Sequence, residues 1–450
     1  MDDLIIDAAR RAQAYLDGLD ERSVVPETEA LAALAELDIP MPETSQPAAG
    51  VLAQLDRIGS PATVASAGQR YFGFVTGGSL PAAVATNMLA AAWDQNAALE
   101  VMSPISAKLE EVCSRWLLDV LNLPPKAAVS FVTGATMANF TALAAARHAV
   151  LQKIGWDVEA DGLFGAPAIT VIVGDEVHVS LLKALSMLGL GRERVVRVPA
   201  DGQGRMRPDA LPEMNGPTIV CIQAGNVNTG AFDPADEICA HAHAAKAWVH
   251  VDAAFGLWAA VSPKRAQLVA GVPEADSWAT DAHKWLNIPY DSGIAFVRHP
   301  EHLRVAMAAS AAYLLELGNR EPFHFTPESS RRARAVEIWA ALNSLGKSGL
   351  SDLIDRCCRL SELFAAELSA AGYEILNDVV LNQVLVSFGR DEFTDRVIKA
   401  IQREGTLWCG GTRWQGRAAM RISVSSWVTT EVDVRKSVAA IKEIVSHEQH

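Results

Sequence analysis

The sequence predicts an α/β protein, with a large domain built on a mostly parallel sheet between helices and a small α+β C-terminal domain. Three observations carry that prediction. From about residue 125 to 298, short apolar runs rich in β-formers alternate with helical stretches, the order expected of strands joined by crossovers. Gly134, His178, Gly225, Asp252 and Lys284 each fall at the end of such a run or just after it, where sheets of this kind bind ligands. A helical pattern returns after Pro327, and strands and helices alternate again between 350 and 450.

The 450 residues suit one large unit and one or two smaller ones, and half of them are apolar, enough for a sizeable core. Lys and Arg total 39 against 53 Asp and Glu, a net charge of −14 that argues against nucleic-acid or anionic-membrane partners and serves solubility. Six cysteines (Cys113, Cys221, Cys239, Cys357, Cys358, Cys409) show no CxxC spacing and read as reduced thiols. The start, Met1-Asp2-Asp3-Leu4, lacks the basic and apolar regions of a signal peptide, and no apolar run approaches about 18 residues. A cytoplasmic protein without a membrane span is expected.

In chain order, Ile5, Ala8, Ala12, Tyr15, Leu16 and Leu19 lie at helical spacing, and Pro40, Pro42 and Pro47 break the segment after Leu37. The expected boundaries are a helical arm over 1–65, a large domain over 66–315 and a small domain over 316–450. Gln69 to Gly78 is aromatic and glycine-rich, and on its own reads as a turn packed by aromatics. Asn96 to Leu121 reads as a loop followed by a helix carrying Leu109, Val112, Trp116, Leu117 and Val120. Ser130 to Asn139 follows a short strand and opens a long Ala-rich helix through Arg147. The N–H groups of a helix start bind phosphate, Gly134 and Ala135 let an anion approach the backbone, and the Thr136 hydroxyl adds a donor. Asn139-Phe140-Thr141 matches a glycosylation acceptor, but only by accident at a cytosolic helix start.

Thr170–Gly174 and Thr218–Gln223 read as buried strands. The second leads into Ala224 to Gly230, where the amides of Asn226 and Asn228 either contact a cofactor or a substrate carboxylate or cap the turn. His241 and His243 stand two apart on a helix and do not share a face, so no metal pair is expected there, nor any metal site. Leu345-Gly346-Lys347-Ser348 has the tail of a phosphate-binding P-loop but no glycine-rich loop before it, and no G-x-G-x-x-G follows a strand.

Trp248 to Ala254 is a β-rich run that ends in the carboxylate of Asp252, and Ala279 to Asn287 places His283 beside Lys284. A lysine amine forms a Schiff base with an aldehyde cofactor. A carboxylate holds a protonated pyridine nitrogen and keeps the ring electron-hungry. Those are the two groups that pyridoxal phosphate (PLP) chemistry most needs, and their separation leaves room for one helical crossover between two strands.

Asp252-x-Ala254 followed by Asp281-Ala282-His283-Lys284-Trp285 resembles the group II pyridoxal-dependent amino-acid decarboxylases, which have the aspartate-aminotransferase type fold (PLP fold type I). The resemblance extends over most of the chain. It implies PLP held at Lys284 as an aldimine, with Asp252 and Ala254 at the ring. It further implies phosphate in the Gly134-Ala135-Thr136 turn with His283, and His178 stacked on the ring. Gly225 to Gly230 resembles the family's Gly-Thr-rich active-site loop, with Asn226 and Asn228 where hydroxyls are commoner. Phe72, with Phe74, then stands at the substrate mouth, and Arg421 near the substrate carboxylate, for which its fork is suited. Arg331 and Arg332 match a Ser-Arg-Arg segment; surface or structural pairing is favoured for them over phosphate binding. The implied protein is a homodimer with both active sites at the interface.

The implied reaction is decarboxylation of an L-amino acid, releasing CO2 and an amine. Retro-aldol cleavage and decarboxylation-coupled oxidation are the alternatives; an aminotransferase or a non-catalytic PLP-binding protein is disfavoured by His178 and by the intact Asp252/Lys284 pair. Many aromatic decarboxylases of the family use a loop tyrosine as proton donor, and Leu315 to Ser329 contains none. His324, or Tyr313 just upstream, is the expected substitute.

Overall fold

The computed structural model describes residues 2–308 and 320–449. They form two compact units. One comprises the described residues within 79–361 and 377–383, the other those within 2–78, 362–376 and 384–449.

The larger unit is organised on a seven-stranded sheet: β1 (Ala128–Val132), β2 (Thr170–Gly174), β3 (Val196–Val198), β4 (Thr218–Gln223), β5 (Trp248–Asp252), β6 (Ser277–Asp281) and β7 (Gly293–Val297), in the order β1-β7-β6-β5-β4-β2-β3. Strands β3, β2, β4, β5 and β6 run parallel, and β7 runs antiparallel to both of its neighbours, β1 and β6. Every residue of β1, β4, β5, β6 and β7 is buried, as expected of near-continuous apolar runs in a sheet covered on both faces.

Four helices matter for the site: α1 (Ala135–Gln152), α2 (Val179–Met187), α3 (Ala235–Ala244) and the four-residue α4 (Ala282–Trp285). Helix α1 is buried almost all round. Ala138, Ala142, Ala145, Ala146 and Ala149 are at most 1% exposed, and these small side chains let the helix lie close on the strands. The connection from β5 to β6 departs from the expected helical crossover. It is built of three 3-10 turns, Gly256–Val261, Ala266–Val269 and Val272–Glu274. The wholly buried Trp258 and Trp278 pin this connection through indole N–H bonds to the carbonyls of Asp281 (3.1 Å) and Val272 (2.7 Å). Gly346, Lys347 and Ser348 lie inside the helix Ala335–Ala370, which breaks at Gly346 (φ +60°), so the P-loop likeness has no loop behind it.

The smaller unit carries a second sheet of β8 (Glu374–Ile375), β9 (Gln383–Ser387), β10 (Gly410–Trp414) and β11 (Arg417–Ser423), in the order β10-β11-β9-β8. The expected N-terminal helix is present as Asp2–Asp17. Among the described residues no helix is long and apolar enough to cross a membrane.

His250, on β5, is fully buried, and burial pushes its imidazole down to about 3. An unfolded histidine titrates near 6.5, so between these values the unfolded chain binds the extra proton and stability rises with pH. Lowering the pH from about 6.5 to about 5 therefore removes on the order of 2 kcal/mol through this one residue. Denaturant midpoints measured across that window should fall for the wild type, and less steeply for His250→Gln.

Candidate active site

The carboxyl ends of β5 and β6 and the start of α1 bring the main sequence-predicted groups together. Asp252 is the last residue of β5 and only 4% exposed. Asn139, one turn into α1, donates from Nδ2 to Asp252 Oδ2 at 3.2 Å. Burial pushes the Asp252 carboxyl above the usual carboxylate range; the charges of His178 and Lys284 and the Asn139 amide oppose the rise, and Asp281 adds to it. His178 and Lys284 thus both lie within electrostatic reach of Asp252.

Lys284 sits in α4, directly after β6, with its Nζ 2.9 Å from Asp281 Oδ2. The other oxygen of Asp281 accepts the N–H of Ala135, the first residue of α1, at 2.5 Å. That leaves the Thr136 and Met137 N–H groups, which have no intrahelical partner in the first turn of a helix. His283 stands beside this helix start. Its Nδ1 accepts the Ser292 N–H at 3.1 Å, which puts the proton of the neutral ring on Nε2, 3.4 Å from Asp281 Oδ1. Burial holds His283 below its ordinary value, chiefly against the pull of Asp281. The ring of Tyr290 lies 4.3 Å from the His283 ring.

Two glycines form the cradle. A Cβ on Gly134 would meet His283 Cε1 at 3.1 Å, and one on Gly293 would stand 2.4 Å from the Gly134 Cα. Gly293 is the first residue of β7 and pairs with Val132, so close strand packing sets the entry angle of α1.

His178 precedes α2, and its Nδ1 accepts the Ser180 N–H at 3.3 Å. Ala254 lies two residues beyond Asp252, and its carbonyl accepts the Asp281 N–H at 2.8 Å. Asn226 does cap its turn: Oδ1 accepts from the N–H groups of Asn228 and Thr229. Its Nδ2, however, is buried and unpartnered among the described residues. Asn228 is also buried.

Phe72 departs from its expected place at the substrate mouth. Phe72 belongs to the smaller unit and is a core side chain, 1% exposed, edge-on to Phe364. Its N–H bonds to the Trp408 carbonyl and its carbonyl accepts from Ser423, so the segment adds to a strand-like bridge that turns Phe72 inward. Phe74, 61% exposed and stacked on Trp408, is the aromatic this segment presents to solvent. Arg421, on β11 of the same unit, is partly buried, and that burial lowers its guanidinium. Arg331 takes the favoured structural pairing, an ion pair with Glu110 at 2.6 Å with both side chains 1% exposed. His324 is buried in the 3-10 turn Pro322–Phe325 against Phe323. Tyr313 lies outside the described residues.

Asn139 and Asp281 are the site residues that sequence reasoning left without a role. Asn139 was legible from its place four positions after Ala135, one turn along the helix on the side of the cradle. Asp281 stands three before Lys284, the spacing at which helical side chains meet.

A buried carboxylate, a nearby lysine amine, a glycine-lined helix start and an unpartnered buried amide suit a phosphorylated pyridine aldehyde. The family described as the pyridoxal-dependent decarboxylase conserved domain matches residues 32–389. The chain belongs to the pyridoxal-dependent decarboxylase family. It is an enzyme of that family, and its cofactor is pyridoxal 5′-phosphate. Relatives include an aromatic-L-amino-acid decarboxylase of Bacillus atrophaeus, 26% identical over 402 residues, covering 84% of this chain and 82% of the relative. An acidic amino acid decarboxylase of Homo sapiens is 30% identical over 290 residues, covering 61% of this chain and 55% of the relative's length. The crystal structure of Oryza sativa TDC with PLP and tryptamine superposes with a TM-score of 0.91 at 22% identity, covering 100% of this chain and 98% of that one, and shows the shared fold.

Gly293→Ala should destabilise the chain by about 1–3 kcal/mol, because the added methyl drives into the Gly134 backbone. Denaturant unfolding measures the loss, and PLP titration of the same variant should show weaker binding because the cradle shifts.

Proposed function

We propose that this enzyme decarboxylates an L-amino acid, with Lys284 as the residue that carries the cofactor aldehyde. The observation that supports this most is the pairing of a buried Asp252 with Lys284 at the ends of adjacent parallel strands, beside an open helix start. When bound, the cofactor supplies an electron-accepting ring joined to the substrate nitrogen, the chemistry that loss of CO2 requires. The residues would divide the task as follows. The Thr136 and Met137 N–H groups, the Thr136 hydroxyl and His283 Nε2–H hold the phosphate. Asp252 keeps the proton on the ring nitrogen, and His178 covers one face of the ring. Asn226 Nδ2 offers a donor to the substrate carboxylate or to the cofactor.

Decarboxylation also needs a proton for the carbon that loses CO2. His324 is our proposed source, on the ground that Leu315 to Ser329 has no tyrosine and His324 carries a titratable ring in that stretch. His324→Phe should lower turnover without loss of cofactor binding, and unchanged turnover would exclude the role.

A screen of L-amino acids, with CO2 release and product mass both measured, tests the reaction. Carbon dioxide with an amine product is expected, and reduction with borohydride should leave the cofactor mass on Lys284. Lys284→Ala should lose both. Cleavage without CO2, or an aldehyde product, would replace the reading with a retro-aldol or oxidative one. The relatives act, by their names, on aromatic and on acidic amino acids, so the screen spans both classes.

We also propose a homodimer. The larger unit exposes Met88, Leu89 and Trp93 on one helix and Val101, Met102 and Ile105 on the segment after it, apolar surface of the kind that a second copy covers. Light scattering of the purified chain should give twice its 48.2 kDa mass; a monomeric mass would refute it.

A further inference from the structure

Behind Asp252 lies a buried row of polar side chains that the reaction itself does not use. Trp248 Nε1 is 2.9 Å from Ser277 Oγ, Ser277 Oγ is 2.9 Å from His250 Nδ1, and His250 Nε2 is 2.9 Å from Asn139 Oδ1. Asn139 Nδ2 completes the row at Asp252 Oδ2. Asn139, His250 and Ser277 are all 0% exposed, and Trp248 is 2% exposed. The strand register makes the row possible, since His250 of β5 pairs directly with Ser277 of β6.

The direction of each bond follows from its end. An ionised Asp252 only accepts, so the Asn139 amide must donate to it and turn its oxygen toward His250. That oxygen only accepts, so His250 must carry a proton on Nε2. Burial keeps the ring neutral, which leaves Nδ1 as an acceptor for the Ser277 hydroxyl. The hydroxyl oxygen then accepts from the Trp248 indole, which can only donate. Every link has one orientation, and hydrogen bonds aligned this way in a low-dielectric interior polarise one another.

We infer that Asn139 and His250 are positioning residues for Asp252: the row fixes the carboxylate through Oδ2 and keeps it ionised, leaving Oδ1 for the cofactor nitrogen. This rests on the cofactor reading proposed above, but the orientation of the row can be tested without it. Around Asp252 the charged and titratable neighbours are His178, Lys284 and Asp281, with the Cys221 thiol beside the same strand end. Of these, His178 and Lys284 favour the ionised carboxylate, as does the Asn139 amide, while Asp281 opposes it.

Two measurements decide the matter. In the full chain labelled with ¹⁵N-histidine, the His250 resonances, assigned through His250→Gln, should show Nε2 protonated and Nδ1 bare, with no titration from about pH 5 to 8. A proton on Nδ1, or a titration within that window, would overturn the inference. In Ser277→Ala, which removes the donor to Nδ1, the proton should stay on Nε2, because Asp252 still orients the Asn139 oxygen that accepts it; a proton on Nδ1 there would show that Ser277, not Asp252, sets the row and would also overturn the inference.

Asn139→Leu keeps a similar volume but removes the donor. Its PLP dissociation constant should rise about tenfold or more, the loss expected for a hydrogen bond to a buried charge. The acid limb of PLP binding should also move to higher pH, because burial then protonates Asp252 with less opposition. A constant within about twofold of wild type, with the acid limb unmoved, would reduce Asn139 to packing. If the leucine variant does not fold, the tautomer measurements on the wild type and Ser277→Ala still decide. If the wild type binds no PLP, the cofactor reading fails, and the His250 tautomer separately reports whether the row stands.

Discussion

The structure of the site turns on keeping one negative charge in the protein interior. Asp252 ends a fully buried strand, and a carboxylate there would rather be neutral. The fold answers with groups on separate elements that favour the charged form: the Asn139 amide from α1, Lys284 from α4 and His178 ahead of α2. None of these is adjacent to Asp252 in sequence, so the charge is tolerated only when the sheet is assembled in register. A protonated ring nitrogen would be a natural further partner for such a carboxylate.

Small residues make that assembly possible. The alanines of α1 let the helix approach the strands, and the Gly134–Gly293 contact leaves no room for a side chain on Gly293. The start of α1 is therefore held at the sheet edge with its N–H groups toward the site. Asp281 works on both parts at once, since one of its oxygens caps Ala135 and the other pairs with Lys284. The start of α1 and the lysine are thus tied through one side chain, and the Trp258 indole fixes the carbonyl of that same residue.

Much of this was legible in the sequence because chemistry and periodicity pointed the same way. Strands β2, β4 and β5 read as apolar runs, and Gly134, Asp252 and Lys284 stood at strand ends. The misses have physical causes. The β5–β6 connection uses 3-10 turns, which have no 3.6-residue periodicity to detect. Phe72 was expected at the substrate mouth because aromatic residues look alike in a glycine-rich run; backbone pairing with residues 408 and 423 decides which one turns inward. Asn139 was dismissed as a chance glycosylation motif, since its partners lie on strands more than a hundred residues away. His250 and Ser277 gave no signal at all, because a register between two strands is not written in either one alone.

Asp252 is proposed to hold a proton on the bound cofactor's ring nitrogen. The most direct measurement is ¹⁵N NMR of the protein loaded with PLP labelled at that nitrogen. At neutral pH the nitrogen should be protonated in the wild type and bare in Asp252→Ala. An unprotonated nitrogen in the wild type would contradict it.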